Sequence, residues 1–336
     1  MSYLNHPFLV CQITNFCNAR CVHCFNNTDS WKKEKKEEIA IGTLEKYIVG
    51  FKNLSVSPPF ITLSGGGEPT LHSQFPQIVE MLSSEELYFD IVTNGVDWSN
   101  WFENISSKNV RCHISRVIVS ILAPGTKHNE LCSTDSYSRL TDLAKACRAN
   151  SIKCSINCSL FKLNIGHVDE MIDLFIDLGI DGEIFLYPAF PTPYLLEHDL
   201  MLDDNDREFL RRTRNKVSRR ILIGGIDPFF PKYHRESCQA LDSDKFAIDY
   251  SGFLRFCCNM VGMAYEDNES DVIGSIEDIP LLELLQKREE MKYGFRKHFL
   301  DELSNGSSES SKMTKCEWCI LKHFRKIPAA QYQGHW

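Results

Sequence analysis

The sequence has no apolar run approaching the ~20 residues that a helix needs to cross a bilayer. Its longest apolar stretches, such as residues 184–190, are far shorter. The first ten residues lack the basic flank and apolar core of a signal peptide, so the cytoplasm is the expected compartment and no membrane partner is expected. Positive charge is in deficit: 37 Lys and Arg stand against 45 Asp and Glu, a net charge of −8. A binder of phosphate backbones usually carries a basic balance or stripe. The basic runs at 32–36 and 211–220 are interleaved with acids or fall on a charged helix, so nucleic acid is not an expected partner. Internal repeats are absent and the only low-complexity tract is short, at 304–312. What remains is ordinary for a folded chain, 43% hydrophobic and 24% charged residues. A length of 336 residues corresponds to about two domains.

One residue type is in excess. There are 14 cysteines. In a long chain without secretory features, such a count points to metal or redox chemistry rather than to disulfides. Their spacing carries the information.

Residues 8–14, 60–64, 88–93, 116–122, 152–161 and 183–188 read as strands, and 37–52, 74–82, 138–150 and 168–178 as helices. Six strands alternating with helices predict a parallel α/β sheet with helices outside, wound either as a doubly wound sheet or as a barrel. In both architectures ligands bind at the carboxyl ends of the strands. The pattern changes after about residue 196. A charged helix is expected over 203–220, a hairpin over 246–256 with Ser251-Gly252 at its turn, and a helix over 279–292.

Cys17, Cys21 and Cys24 form C-x3-C-x2-C just after the first strand. Soft thiolates at this spacing select zinc or an iron–sulfur cluster. Zinc would take His23 as a fourth ligand. Three cysteines on a four-iron cluster would instead leave one iron open. Gly65-Gly66-Gly67-Glu68-Pro69 ends the second strand and Thr93-Asn94-Gly95 ends the third. Together these segments resemble the cluster loop, the GGE motif and a recurring strand-end position of radical S-adenosylmethionine (radical SAM) enzymes.

The resemblance covers about residues 8–190. It implies a partial (β/α)6 barrel and a [4Fe–4S] cluster on Cys17, Cys21 and Cys24. It further implies S-adenosylmethionine (SAM) held near Gly65, Gly66, Gly67 and Glu68, with Asn94, Ser120, Asn157 and Asn164 as further cofactor contacts. The glycines would admit the methionyl group closely. Glu68 would accept a hydrogen bond from it or hold the loop. The implied chemistry is reductive cleavage of SAM to a 5′-deoxyadenosyl radical that abstracts hydrogen from a substrate carbon, the protein supplying position and dryness. A reducing protein such as flavodoxin or ferredoxin would feed the cluster.

Cys238, Cys257, Cys258, Cys316 and Cys319 occupy the last third. Four separated thiolates suit a closed site for zinc or a four-iron cluster. The hairpin leading to Cys257 resembles the opening of the SPASM and twitch extensions of radical SAM proteins. With no cysteine after Cys319, the match is to the shorter twitch type, as in radical SAM dehydrogenases with one auxiliary [4Fe–4S] cluster. The expected ligands are Cys238, Cys257, Cys316 and Cys319. Cys258 is a replacement ligand, a catalytic hydrogen-atom donor or an inert thiol. The expected organisation is a barrel at 1–200, a linking helix at 201–235 and a small α+β twitch-like domain at 236–336.

The remaining cysteines are expected to be buried, with Cys154 and Cys158 of one strand parity and able to face the barrel interior. The substrate is the least legible element. Asn15, Asn26, His128 and Tyr187 are polar groups near strand ends, and 188–193 is read as a linker. The 16 residues before Cys17 leave no room for a peptide-recognition domain, which favours a small molecule over a peptide. The expected reaction is oxidation or epimerisation of an amino sugar, cyclitol or nucleoside, the alternative being maturation of a ribosomal peptide.

Overall fold

A computed structural model describes residues 4–24, 36–224, 238–260, 270–304, 315–319 and 323–324. The chain opens with β1 (Phe8–Gln12), α1 (Ile41–Leu54), β2 (Phe60–Ser64), α2 (Phe75–Ser84) and β3 (Phe89–Thr93). It continues through α3 (Ser99–Ser106), α4 (Lys108–Arg111), β4 (Ile114–Ser120), α5 (Thr126–Cys132), α6 (Tyr137–Ala149) and β5 (Cys154–Leu160). Then come α7 (Val168–Leu178), β6 (Ile184–Pro188), α8 (Pro193–Glu197), α9 (Asp204–Arg214) and β7 (Ile221–Ile223). The last third holds α10 (Gln239–Asp242), β8 (Lys245–Ile248), β9 (Phe253–Arg255), β10 (Val272–Ser275), α11 (Leu281–Ser304) and α12 (Lys315–Trp318).

The strands form one sheet in the order β10-β9-β8-β1-β2-β3-β4-β5-β6-β7. β1 to β7 are parallel throughout, the parallel α/β sheet expected from the alternation. Period-2 alternation sorts each strand's side chains between two faces. Leu9, Cys11, Ile61, Leu63, Phe89, Ile91, Val117, Val119, Ile156 and Cys158 point outward into the main core. Helix α1 meets them with Leu44, Tyr47, Ile48 and Phe51, a stripe at i, i+3, i+4 and i+7. The opposite face is polar near the strand starts. There Arg116 bridges Asp90 at 2.8 Å and Glu183 at 3.3 Å.

The sheet does not stop where the sequence suggests a second domain. β8 lies parallel to β1, pairing Phe8 with Lys245 and Cys11 with Ile248. β9 and β10 add antiparallel strands beyond it. Phe51 of α1 packs on Phe246 of β8 with ring centroids 4.7 Å apart, so the helix layer crosses the same boundary.

Several expectations change. The expected helix over 203–220 ends at Arg214, and Ile221–Ile223 forms a seventh parallel strand. Helix α3 was not expected, although Trp101, Phe102 and Ile105 bury one face of it. Cys154 and Cys158 face the helices rather than the barrel interior, because Asn157 and Ser159 take the inward positions. Residues 188–193 are packed rather than linking: Ala189 and Thr192 are buried, and Thr192 caps α8. Among the described residues no helix is long and apolar enough to cross a membrane.

Candidate active site

The cysteine loop begins where β1 ends and is held by the next strand's glycines. Gly67 N–H donates to the Thr14 carbonyl at 2.7 Å and Glu68 N–H to the Phe16 carbonyl at 2.7 Å. A Cβ on Gly67 would lie 2.0 Å from the Phe16 carbonyl oxygen, and one on Gly66 would lie 2.8 Å from the Tyr250 ring. The glycines are therefore required by the protein's own backbone and by the hairpin turn, before any ligand is considered.

Glu68 holds the loop. It is 3% exposed and accepts from the Thr93 hydroxyl at 2.8 Å, the Thr70 hydroxyl at 2.7 Å and Asn94 N–H at 2.7 Å. Burial raises its carboxyl above the ordinary range, and these donors oppose the shift. Asn94 continues the network: its side-chain amide donates to Asn18 Oδ1 at 2.9 Å and to Cys17 Sγ at 3.5 Å.

The cysteine loop also rests on the turn after α5. Arg20 N–H donates to the Cys132 carbonyl and Val22 N–H to the Leu131 carbonyl, both at 2.9 Å. Between these walls a pocket opens, lined in part by Cys21, Asn94, Ser120, Asn157, Ser159 and Ser136. Ser120 and Asn157 are register partners across β4 and β5 and both face it. No Asp, Glu, Lys or Arg lines this pocket. His128 does line it, 1% exposed. Its Nδ1 accepts Leu122 N–H at 3.1 Å, so Nε2 carries the proton toward Ser136 Oγ, also at 3.1 Å. Burial lowers its pKa to about 4 and keeps the ring neutral. Thr134, Ser136 and Cys132, which sequence reasoning missed, complete the lining. The visible signal was a polar run following a short helix beyond a strand end.

Asn164 requires a correction. It is 1% exposed, accepts Phe161 N–H at 2.8 Å and donates to the Leu122 and Ser159 carbonyls at 2.9 and 2.8 Å. It closes a turn and does not face the pocket. Asn15 likewise closes the cysteine loop by accepting Glu37 N–H, and Tyr187 is 40% exposed against Phe185. Asn26 lies outside the described residues.

The surroundings of the loop thiols bear on whether they suit a cluster. Cys17 Sγ receives Ala19 N–H at 3.4 Å besides the Asn94 amide, a setting that suits a thiolate. Burial, Glu68 and the other two cysteines push the Cys17 thiol up to about 12. Left to themselves the Cys17 and Cys21 thiols stay protonated, so a positive centre is what would ionise them. Cys21 is turned toward Cys132, and a hydrogen bond between the two pushes the Cys21 thiol up. His23 stacks on Phe161 at 5.6 Å, which keeps its ring in the apolar wall instead of serving as a fourth ligand. Among the described residues no three His, Cys, Asp or Glu side chains stand at metal-ligand spacing. The donor set nonetheless fits a cluster bound by three cysteines.

In the last third, Cys319 is influenced by the charges of Cys316 and Cys238, and Cys257 by that of Cys316. These four thiols therefore share one neighbourhood. Cys238, Cys257 and Cys319 border an apolar cluster of Leu122, Phe161, Phe256, Met260, Phe295 and Trp318, among others. Cys21 and Val22 border the same cluster. Cys258 adjoins them through Cys257: Gln12 of β1 donates to its carbonyl at 2.8 Å, and its thiol meets Asn259 Oδ1 at 3.6 Å. Its hydrogen bond with Cys257 and the charge of Lys245 hold that thiol below its ordinary value. Cys258 is not among the residues lining the pocket.

With this geometry in hand, residues 11–175 match the radical SAM superfamily model. The chain carries a radical SAM domain. A PqqA peptide cyclase of Bradyrhizobium diazoefficiens is 22% identical over 181 residues, which are 51% of this chain and 43% of that one. The chain thus spans less than half the length of that relative. Among solved structures, native anSMEcpe with bound AdoMet superposes with a TM-score of 0.64 at 18% identity, covering 85% of this chain and 82% of that one. BtrN in complex with AdoMet and 2-DOIA gives 0.51 at 16%, covering 93% of each. These likenesses place the radical SAM domain's sheet and helices in a shared fold. The family implies a [4Fe–4S] cluster and SAM, and Cys17, Cys21 and Cys24 are the residues that would hold the cluster.

Proposed function

We propose that this radical SAM enzyme removes hydrogen from a carbon of a small, hydroxylated natural-product-type molecule and completes an oxidation or epimerisation there. The observation that carries this reading is the shared apolar cluster, with Cys21 on one margin and Cys238, Cys257 and Cys319 on another. Two thiol sites bordering one dry region suit a reaction in which hydrogen is lost at one side and an electron leaves toward the other. The cluster and SAM, when bound, supply a carbon-centred radical.

The protein's own residues do the rest. Cys17, Cys21 and Cys24 present three thiolates. Asn94, Ser120 and Asn157 offer hydrogen bonds to SAM, and Glu68 fixes the glycine loop. Burial keeps His128 neutral near pH 7, so its ring offers a hydrogen bond without a charge. A lining of hydroxyls and amides without charged side chains favours a hydroxylated, uncharged ligand group. The likeness to BtrN with 2-DOIA over nearly the whole of both chains supports the small-molecule class. In this reading Cys238, Cys257, Cys316 and Cys319 hold an auxiliary [4Fe–4S] cluster in a twitch-like domain at 236–336. The barrel occupies 1–200, and 201–235 links the two. A flavodoxin or ferredoxin reduces the first cluster. A peptide substrate is the second reading, favoured by the match to a peptide cyclase.

Anaerobic iron and sulfide analysis tests the cofactor content, with about eight irons per chain expected for two four-iron clusters. Incubation with SAM, dithionite and panels of aminocyclitols, amino sugars, nucleosides and cysteine-containing peptides tests the substrate class. Substrate-dependent 5′-deoxyadenosine with the first three panels supports the proposal, and its appearance with peptides alone overturns it.

A further inference from the structure

Helix α11 carries Arg288, Lys292 and Arg296 four residues apart, on one face. Its first two members are turned inward, while Arg296 is exposed. Arg288 is 1% exposed and Lys292 is 7% exposed, values that charged side chains reach only with compensation. Arg288 Nη2 donates to the Ala240 and Lys245 carbonyls at 2.8 and 2.6 Å, and its guanidinium lies 4.4 Å from the centre of the Phe246 ring. Arg296 reaches the Leu241 carbonyl at 3.1 Å. The basic face therefore grips the segment from α10 to β8, whose first described residue is Cys238.

Carbonyls position a guanidinium but do not neutralise it. The ion-pair partner recorded for Arg288 is Glu289, at 3.7 Å. That carboxylate is 61% exposed and also serves Lys292 at 2.6 Å, so solvent and sharing weaken what it offers. Arg288 Nε is buried without a hydrogen-bond partner. A buried cation left this way is costly unless a second anion stands close. Beyond Glu289, the charge of Asp244 reaches Arg288, and after it those of the thiols Cys238 and Cys257, the two proposed ligands on either side of β8 and β9.

We infer that Arg288 is the electrostatic counter-charge of the four-cysteine centre, setting how readily that centre accepts an electron. This rests on the reading that Cys238, Cys257, Cys316 and Cys319 hold an iron–sulfur cluster. A four-thiolate cluster is anionic and gains further negative charge on reduction, so a fixed buried cation favours the reduced form. An electron acceptor for a substrate radical needs that bias. Arg288 is a positioning residue in this role and touches no substrate.

The test uses the full chain with Cys17, Cys21 and Cys24 replaced by Ala, so that only the second centre is loaded. Iron and sulfide content decides the underlying reading: about four irons per chain supports it, and zinc or no metal overturns it. With iron present, an anaerobic redox titration followed by electron paramagnetic resonance compares Arg288→Lys, Arg288→Gln and Lys292→Met with the parent. The expected result is a potential near the parent's for R288K and a shift to more negative potential for R288Q. K292M, which leaves the Ala240 and Lys245 contacts intact, should shift the same way by less. Unchanged potentials in R288Q with full iron content overturn the inference and leave Arg288 a structural clamp. If R288Q loses its iron or fold, an unshifted K292M overturns it instead.

Discussion

The two thiol sites are built by opposite means. The first uses eight consecutive residues in a loop that backbone hydrogen bonds pin to the end of β2, through Gly67 and Glu68, and to the end of α5, through Arg20 and Val22. The second collects Cys238, Cys257, Cys316 and Cys319 from segments up to 81 residues apart, since 319 − 238 = 81. Side-chain packing gathers them: Trp318 is fully buried against Phe295 at 5.1 Å, and Phe324 packs on Phe256 at 5.0 Å. A site fixed by backbone tolerates change in its side-chain surroundings. A site fixed by aromatic packing does not, because each ring removed leaves a void. The first centre is thus expected to survive perturbation of the second, and not the reverse order of chemistry.

The largest effect should come from the loop thiols. Replacing Cys17, Cys21 or Cys24 by Ala should lower 5′-deoxyadenosine formation by ~100-fold or more, because three ligands are the minimum the cluster can use. Product analysis by liquid chromatography checks this, and near-normal cleavage in all three variants would break the distinction between the sites. Cys257→Ala or Cys319→Ala should leave SAM cleavage within about 3-fold of the parent while product formation is lost, since the auxiliary site acts after hydrogen abstraction. Parallel loss of both activities would show that the two centres are not separable.

Gly67→Ala sharpens the backbone side of the comparison. Its Cβ would sit 2.0 Å from the Phe16 carbonyl, so backbone must move. A loss of about 2 kcal/mol or more in a denaturant titration is expected. Gly166→Ala meets nothing within 4 Å and serves as the neutral control.

The smallest effect concerns the polar face of the sheet. Lys153, Ser155 and Arg116 hold the Glu183 carboxyl below its ordinary value. A carboxyl depressed on folding contributes stability above its unfolded pKa, and that contribution is lost as pH falls through the folded pKa. The stability gap between parent and Glu183→Gln should therefore be present at pH 7, under about 1 kcal/mol, shrink as pH falls past the ordinary Glu value of about 4.3, and be lost below the depressed folded value. Thermal melts across that range measure it.

What could be read from the sequence follows the same division. Cys17 to Cys24, Gly65 to Glu68 and Asn94 are local motifs at strand ends, and hydrophobic periodicity located those strands. Ser120 and Asn157 were named through the family resemblance, and both line the pocket, whereas strand parity alone had left Cys154 and Cys158 free to face inward. Asn164, named in the same way, does not line it, because a polar residue beyond a strand can close its own turn as easily as bind a ligand. His128, Thr134 and Ser136 reach the pocket through the path of α5 and the turn after it, which no periodicity encodes. The parallel pairing of β8 with β1 was equally hidden. It joins residues about 240 apart, and alternation along the chain carries no information about such a partner.

One contact has a wider consequence. The Tyr250 ring occupies the space that a methyl group at position 66 would fill. The glycine motif after β2 is thus moulded by a turn encoded almost two hundred residues later. During synthesis the amino-terminal half leaves the ribosome without this support. Grafting a foreign carboxyl-terminal module onto it would require that seam to be matched, ring for hydrogen.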